Sequence, residues 1–179
     1  EGNISVSDTD NYRIQVFDPE GRFLRKWGTQ GDGDGEFNSL GGIAVDGGGR
    51  VYVVDWGQNR IQVFDPEGRF LRKWGDYHEE YGKLSMPEDI AVDGEGRDYV
   101  ADIINHRRQV FPPERAFLHK WGTDGDGDGQ FKRPSGIAVD GEGRVYVADM
   151  FNHRIQVFDY QGQFLRKWGT EGEIGRAHV

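Results

Sequence analysis

The chain has no cysteine among its 179 residues, which excludes disulfide bonds and thiolate nucleophiles but does not choose a cellular compartment. It has no apolar run near the roughly 20 residues that a membrane-spanning helix needs. Basic residues are in the minority: 22 lysines and arginines stand against 31 aspartates and glutamates, a formal net charge of −9. Nucleic-acid binding requires a basic surface that neutralises phosphates, so this charge argues against nucleic acid as a partner.

Glycine is abundant by contrast, with 28 residues, and much of it belongs to a strict internal repeat. Residues 13–28 and 60–75 are the same 16-residue sequence. A period of roughly 20–50 residues indicates a solenoid, a propeller or an array. Three columns of residues recur at a spacing of 47 positions: Trp27, Trp74, Trp121 and Trp168; Asp8, Asp55, Asp102 and Asp149; and Arg13, Arg60, Arg107 and Arg154.

Each repeat contains four short β-rich runs bounded by turn residues. In the fourth copy the runs are Ile137 to Asp140, Val145 to Asp149, Arg154 to Asp159 and Phe164 to Trp168. Glycines in the connecting phrases DGEG and DYQG supply the positive φ that tight hairpins need. No helical periodicity interrupts the runs. The sequence therefore predicts an all-β fold, a β-propeller of four-stranded antiparallel blades with about four repeats.

The segment PSGIAVDGEGRVYVADMFNHRIQVFD, residues 134–159, resembles the NHL repeat family. Together with the FLRKWG phrases, the likeness covers nearly the whole chain. The resemblance implies a β-propeller, usually of six blades. It also implies three classes of role: a protein-interaction platform, an RNA reader or a metal-dependent enzyme. Certain NHL proteins are lyases, and similar propellers hydrolyse esters, lactones and organophosphates at a metal on the axis.

We expect a single propeller domain or arc over residues 1–179, and the chain begins in the second strand of its first blade, so that blade lacks its innermost strand. No charged and then apolar leader precedes Asp8, so the chain is expected to be soluble and mature, or a fragment. Exposed sheet edges are normally covered. We therefore expect a homodimer that closes an eight-bladed ring, with a closed four-bladed monomer as the alternative. The expected repeats are 1–28, 29–75, 76–122 and 123–169, followed by a tail or connector at 170–179.

The third copy departs from the pattern at two apolar columns. Asp98 replaces a valine or isoleucine of the second strand, and Arg108 replaces the isoleucine of the third strand. A buried charge is costly unless it is paired, so we hypothesise a cross-strand ion pair between Asp98 and Arg108. Drift in a distorted blade is the alternative. The hairpin that gains Pro113 and loses its glycine is expected to be looser.

Function is expected where the loops between second and third strands meet the connectors that enter the innermost strands. The aromatic residues of this loop surface are expected to be exposed and are of the kind that interfaces favour. Its repeated aspartates either contact a ligand or accept hydrogen bonds within the loops. The candidate ligand-binding residues are Tyr12, Trp56, Asp55, Asp102, Asp149 and Phe151.

A second candidate centre consists of Glu88 and Asp89, which stand where two other copies have Gly-Gly and Ser-Gly, together with His106 and His153. Carboxylates and imidazoles suit Zn²⁺ or Ca²⁺, so these four residues are the candidate metal ligands and catalytic proton carriers. A solvated acidic loop and ordinary repeat sequence are the alternatives. The connector at 76–89, which ends in Glu88 and Asp89, also carries His78, Glu79 and Glu80.

The phrase TDGDGDGQF at 123–131 opens like an EF-hand loop, but Ser135 stands where that loop requires a glutamate. Neither a Gly-x-Ser-x-Gly elbow nor a GxxxxGK phosphate loop occurs. A binding or scaffold module that self-associates and holds a protein or small-molecule ligand at its loops is therefore the first expectation. A metal-dependent hydrolase or lyase is the alternative, and an RNA-binding domain comes third.

Overall fold

The computed structural model describes residues 2–75, 82–112 and 118–172. The chain divides into two compact units, Glu1–Leu84 and Ser85–Val179. Among the described residues, no helix is long and apolar enough to cross a membrane. The turn that contains Pro113 and the connector residues His78, Glu79 and Glu80 lie outside the described residues.

The strands of the first unit are β1 Ile4–Asp8, β2 Arg13–Phe17, β3 Phe23–Trp27, β4 Thr29–Gln30, β5 Glu36–Phe37, β6 Leu40–Val45, β7 Val51–Asp55, β8 Arg60–Phe64 and β9 Phe70–Trp74. They form a three-stranded antiparallel sheet in the order β1-β2-β3 and a four-stranded antiparallel sheet in the order β6-β7-β8-β9. A short parallel pair, β4 and β5, lies between them in the sequence. Single 3₁₀ turns follow β1 and β7, at Thr9–Asn11 and Trp56–Gln58.

The strands of the second unit are β10 Pro87–Val92, β11 Asp98–Asp102, β12 Arg107–Phe111, β13 His119–Trp121, β14 Thr123–Asp124, β15 Gln130–Phe131, β16 Pro134–Val139, β17 Val145–Asp149, β18 Arg154–Phe158 and β19 Phe164–Trp168. They form two four-stranded antiparallel sheets, β10-β11-β12-β13 and β16-β17-β18-β19, and a parallel pair, β14 and β15. A 3₁₀ turn lies at Met150–Asn152. The predicted four-stranded blades and the incomplete first blade are confirmed.

The hairpin turns are built by an aspartate, a glycine and an arginine at fixed spacing. In the last blade, Asp140 accepts the backbone N–H groups of Glu142 and Arg144 at 3.0 Å and the Arg144 Nε–H at 2.7 Å. Gly143 has φ +76, a left-handed conformation that glycine adopts without steric cost. The repeated DGEGR and DPEGR phrases therefore each specify one tight turn.

Apolar side chains fill the space between consecutive sheets within each unit. The ring centres of Trp27 and of Phe64 in the following sheet lie 5.6 Å apart. Those of Trp121 and Phe158 lie 5.9 Å apart. Both interfaces use the same column of the repeat. A β-carbon built at Gly68 or Gly162 would lie 2.7 Å from the tryptophan of the preceding sheet. The turn glycine therefore allows the tryptophan ring to approach the next blade closely.

The predicted ion pair between Asp98 and Arg108 is wrong. The register of β11 and β12 places Asp98 opposite Phe111, and Arg108 opposite Ala101. The two positions are three steps apart along the ladder. Because successive side chains point to opposite faces of a sheet, Asp98 and Arg108 lie on opposite faces.

Candidate functional site

The aspartate that ends the second strand of the last blade holds its loop together. Asp149 is fully buried, and its Oδ1 accepts the backbone N–H of Lys132 at 2.7 Å. Its Oδ2 accepts from Arg154 Nε at 2.8 Å, Asn152 Nδ2 at 2.9 Å and Gln156 Nε2 at 3.1 Å. One carboxylate thus joins the loop, the next strand and the incoming connector.

The same arrangement occurs at Asp55 and Asp102, which are also fully buried. Asp55 accepts the backbone N–H groups of Asn38 and Ser39 at 3.1 and 3.2 Å, and Asp102 accepts that of Ser85 at 2.8 Å. All three carboxylates are engaged by donors of this chain. Their role as ligand contacts remains a prediction, and their hydrogen-bonding role in the loops is evident.

The arginine column holds the connectors. Arg154 donates from Nη1 to the carbonyl oxygen of Asp126 at 2.6 Å and from Nη2 to those of Gly127 and Gln130 at 2.8 and 2.9 Å. Arg60 binds its own connector in the same way. In the phrase that resembles an EF-hand opening, carbonyl oxygens therefore accept from a guanidinium, as expected for a structural connector.

His106 and His153 occupy the same place in neighbouring loops of the second unit. Each ends its loop in the left-handed conformation, with φ of 48° and 51°. The Nδ1 atom of His106 lies 3.8 Å from Oδ1 of Asp124 and makes no hydrogen bond. Within the described ranges, no three histidine, aspartate or glutamate side chains come together in a way that could hold a metal ion.

Asp89 joins two sheets. It lies on β10 and is mostly buried, and its Oδ2 accepts the backbone N–H of Ile137 on β16 at 2.9 Å. Burial raises the pKa of this carboxyl group, while the N–H donors of Ile137 and Ile90 act in the opposite direction. Glu88 beside it is exposed. Asp89 and Glu88 thus lie at the start of the innermost strand, as the sequence indicated, but Asp89 contacts backbone rather than either histidine.

Arg108, on β12, is a fully buried cation. Its side chain is fully buried, with the guanidinium carbon 4.9 Å from the centre of the Phe131 ring and Nη1 donating to the Arg107 carbonyl oxygen at 3.0 Å. Burial lowers its pKa to about 9, while nearby carboxylates, those of Asp149 and Asp89 foremost, raise it. The group stays charged at neutral pH, so these carboxylates are its electrostatic partners in place of Asp98.

Large apolar side chains are exposed on the loops of the second unit. Phe151 is 54% exposed and Ile104 is 53% exposed at the equivalent position of the preceding blade. Met86, in the connector beside the loop that carries Ile104, is also exposed. The guanidinium of Arg133 lies 5.3 Å from the centre of the Phe151 ring. We name this surface, made of Phe151, Ile104 and Met86, the apolar loop patch.

Phe151 of this patch is a candidate residue of the sequence, whereas Ile104 and Met86 are not among those candidates. The 47-residue period could have identified Ile104, which aligns with Phe151. In the first unit, Trp56 is exposed on its loop as predicted, and Tyr12 is half-buried in the left-handed position that ends the first loop.

A pocket that the sequence did not indicate lies at the hairpin end of the second unit. It has a volume of about 370 Å³ and includes the DGEG turns of both sheets. The Arg97 guanidinium lies 4.7 Å from the centre of the Tyr160 ring at this pocket. Asp93 and Asp140, which also line it, are both engaged by the arginines of their turns. Asp93, Asp140 and Arg97 of the lining therefore already hydrogen-bond within their own turns.

Comparison with known proteins agrees with this architecture. Residues 1–75 match a family model described as a 6-bladed beta-propeller, and residues 131–158 match the NHL repeat. The chain is therefore built of β-propeller repeats, and residues 131–158 form an NHL repeat. A curated protein similar to this chain is the RING finger protein nhl-1 of Caenorhabditis elegans. It is 45% identical over 43 residues, which is 24% of this chain and 4% of that protein.

Several solved structures share the fold of this chain at low identity. A streptogramin B lyase superposes with a TM-score of 0.72 at 14% identity, over 98% of this chain and 53% of the lyase. The virginiamycin B lyase of Staphylococcus aureus gives 0.70 at 15%, over 99% and 55%. A nidogen/laminin complex gives 0.72 at 17%, over 96% and 61%. The chain thus spans about half the length of the lyases, and these likenesses concern the fold alone.

Proposed function

We propose that the chain is a protein-binding module and that its partner docks on the apolar loop patch. The observation that carries this proposal is the exposure of Phe151 and Ile104 at equivalent positions of adjacent blades. Interfaces concentrate their binding energy in a few large apolar or aromatic side chains near the centre.

The loops that carry the patch are held by hydrogen bonds before any partner arrives. The backbone N–H of Phe151 donates to the Lys132 carbonyl oxygen at 3.1 Å, and that of Ile104 donates to the Ser85 carbonyl oxygen at 3.3 Å. Buried Asp149 and Asp102 connect the same loops to the same connectors. A preformed loop loses little conformational entropy on association, which favours affinity.

The comparisons are compatible with this role. One structure of similar fold is a complex of nidogen with laminin, so such a propeller occurs in a protein–protein assembly. The lyase structures share the fold with this chain at 14 and 15% identity. The hydrolase or lyase alternative, with Glu88, Asp89, His106 and His153 as its residues and Zn²⁺ or Ca²⁺ as its metal, therefore remains a prediction from the sequence.

Selection of peptides from a displayed random library on the immobilised chain tests the proposal. We expect the selected peptides to bind the Phe151→Ser variant about 30-fold more weakly than the wild type, the effect of losing roughly 2 kcal/mol at a hot spot. Leu71→Ser is the matched control, because Leu71 is an exposed apolar residue on the outer strand β9. Peptides that bind wild type and Phe151→Ser equally, or that lose binding to Leu71→Ser instead, would contradict the proposal.

A further inference from the structure

We propose that the last sheet of one copy packs on the first sheet of a second copy of this chain, in a head-to-tail contact. The two surfaces are separate from the apolar loop patch. The donor face is the face of the β16–β19 sheet that carries Tyr146, Ile155 and Trp168. The receptor face is the face of the β1–β3 sheet that carries Ile4, Val6 and Phe17, together with the turn at Gly21 and Phe23.

Both units contain an internal example of this contact. In the first unit, Ile14 and Trp27 of one sheet pack on Val51, Val53 and Phe64 of the next. In the second unit, the corresponding contact joins Trp121 to Phe158. Since the same columns of the repeat meet in both units, the contact is a property of the repeat sequence.

The donor face carries the residues that make this contact but leaves them uncovered. Residues 154–158 and 164–168 have the same sequences, RIQVF and FLRKW, as 13–17 and 23–27 of the first blade. Yet Trp168 is 45% exposed, whereas its equivalents Trp27 and Trp121 are half-buried against the next sheet. A shallow apolar hollow of about 40 Å³, lined by Tyr146, Ala148 and Ile155 among others, lies on the same face.

The receptor face is also exposed, although the same face of the second blade is covered by the sheet before it. Ile4 is 48% exposed, whereas its equivalent Val51 is 3% exposed beneath the preceding sheet. A β-carbon built at Gly21 would meet no atom within 4 Å, whereas at the equivalent glycines 68 and 162 it would meet a tryptophan ring at 2.7 Å. The space over Gly21 therefore matches the place that a tryptophan occupies in both internal contacts.

The repeat thus identifies the occupant as a second copy of this chain. The receptor presents the sequence FDPEGRF, which in the second blade accepts Trp27, and the donor presents the strand sequences that deliver Trp27. A contact between two different faces of identical subunits is heterologous. Such contacts form closed rings or open chains of copies.

The proposed contact raises the mass of the protein in solution, which sedimentation velocity and light scattering measure directly. We expect the wild-type protein to have a mass of at least two 20.3 kDa chains. Trp168→Glu places a carboxylate on the donor face and should lower the mass to that of one chain. Trp56→Glu is the matched control, because Trp56 is a comparably exposed tryptophan on a loop, and it should leave the mass unchanged.

A mixing experiment separates loss of the contact from loss of the fold. A receptor variant, Ile4→Lys with Val6→Lys, should also have the mass of one chain. An equimolar mixture with Trp168→Glu retains one intact donor face and one intact receptor face, and its mass should rise again. A wild-type mass of one chain, an unchanged mass in Trp168→Glu, or a mixture that stays at one chain overturns the proposal.

Discussion

Replacement of Asp149 by alanine tests how strongly a buried carboxylate holds the loop edge of a blade. The change removes four hydrogen bonds, one of them from the mostly buried guanidinium of Arg154. Breaking a buried ion pair by removing one partner costs about 3–5 kcal/mol. Arg154 keeps its three bonds to connector carbonyl oxygens, so we expect the lower end of this range, about 3 kcal/mol.

The assay is equilibrium unfolding in urea, followed by tryptophan fluorescence. With a slope of about 1–3 kcal/mol/M, a loss of 3 kcal/mol lowers the midpoint by roughly 1–3 M. Asp8→Ala is the control, because Asp8 binds Asn11, Arg13 and Gln15 of its own blade but is partly exposed. We expect a clearly smaller shift for Asp8→Ala. Equal shifts for the two variants would refute the argument that burial and the connector bond make Asp149 important.

Two further predictions concern charges of the second unit. Replacing Asp89 by glycine and Arg108 by isoleucine restores the residues of neighbouring repeats, so we expect the double variant to be more stable than Asp89→Gly alone, which leaves a buried guanidinium with one carboxylate fewer. Urea unfolding of both single variants and the double variant measures the coupling, and strict additivity would contradict it. Partial burial raises the pKa of Asp140, but the donors of Arg144 and Tyr146 outweigh it and lower the pKa from 3.8 to about 2. The charged carboxylate therefore stabilises the fold fully above pH 3.8 and progressively less as the pH falls towards 2. We expect Asp140→Asn to be less stable than wild type at neutral pH and the difference to vanish towards pH 2; a difference independent of pH would count against this.

Much of the fold could be predicted because the repeat reports each feature several times. The tryptophan column, the turn glycines and the alternation of short apolar runs each recur with the same period. A four-stranded blade is the arrangement that agrees with all of them. The sequence indicates the aspartate column as a candidate for either ligand contact or loop hydrogen bonding, but the donors to these carboxylates follow from the three-dimensional path of the connectors.

The errors and omissions have physical causes. The period of the repeat places Asp98 and Arg108 at apolar positions of neighbouring strands, but contact across a hairpin depends on the number of residues to the turn, which decides the face of each side chain. The partner of the arginine column was missed because backbone carbonyl oxygens leave no trace in a sequence. Met86 was missed because its exposure follows from the path of the connector rather than from its residue type.

The arginine contacts to the connectors have an evolutionary consequence. Arg60 and Arg154 satisfy the carbonyl oxygens of the glycine-rich segments from within the chain, and Asp55 and Asp149 fix the adjoining turns. The backbone course at the loop edge therefore depends on residues that point inward. Substitution of outward-pointing side chains, such as Trp56 and Phe151, therefore leaves these hydrogen bonds intact, so under the proposed binding function the choice of partner could change without loss of the loop structure.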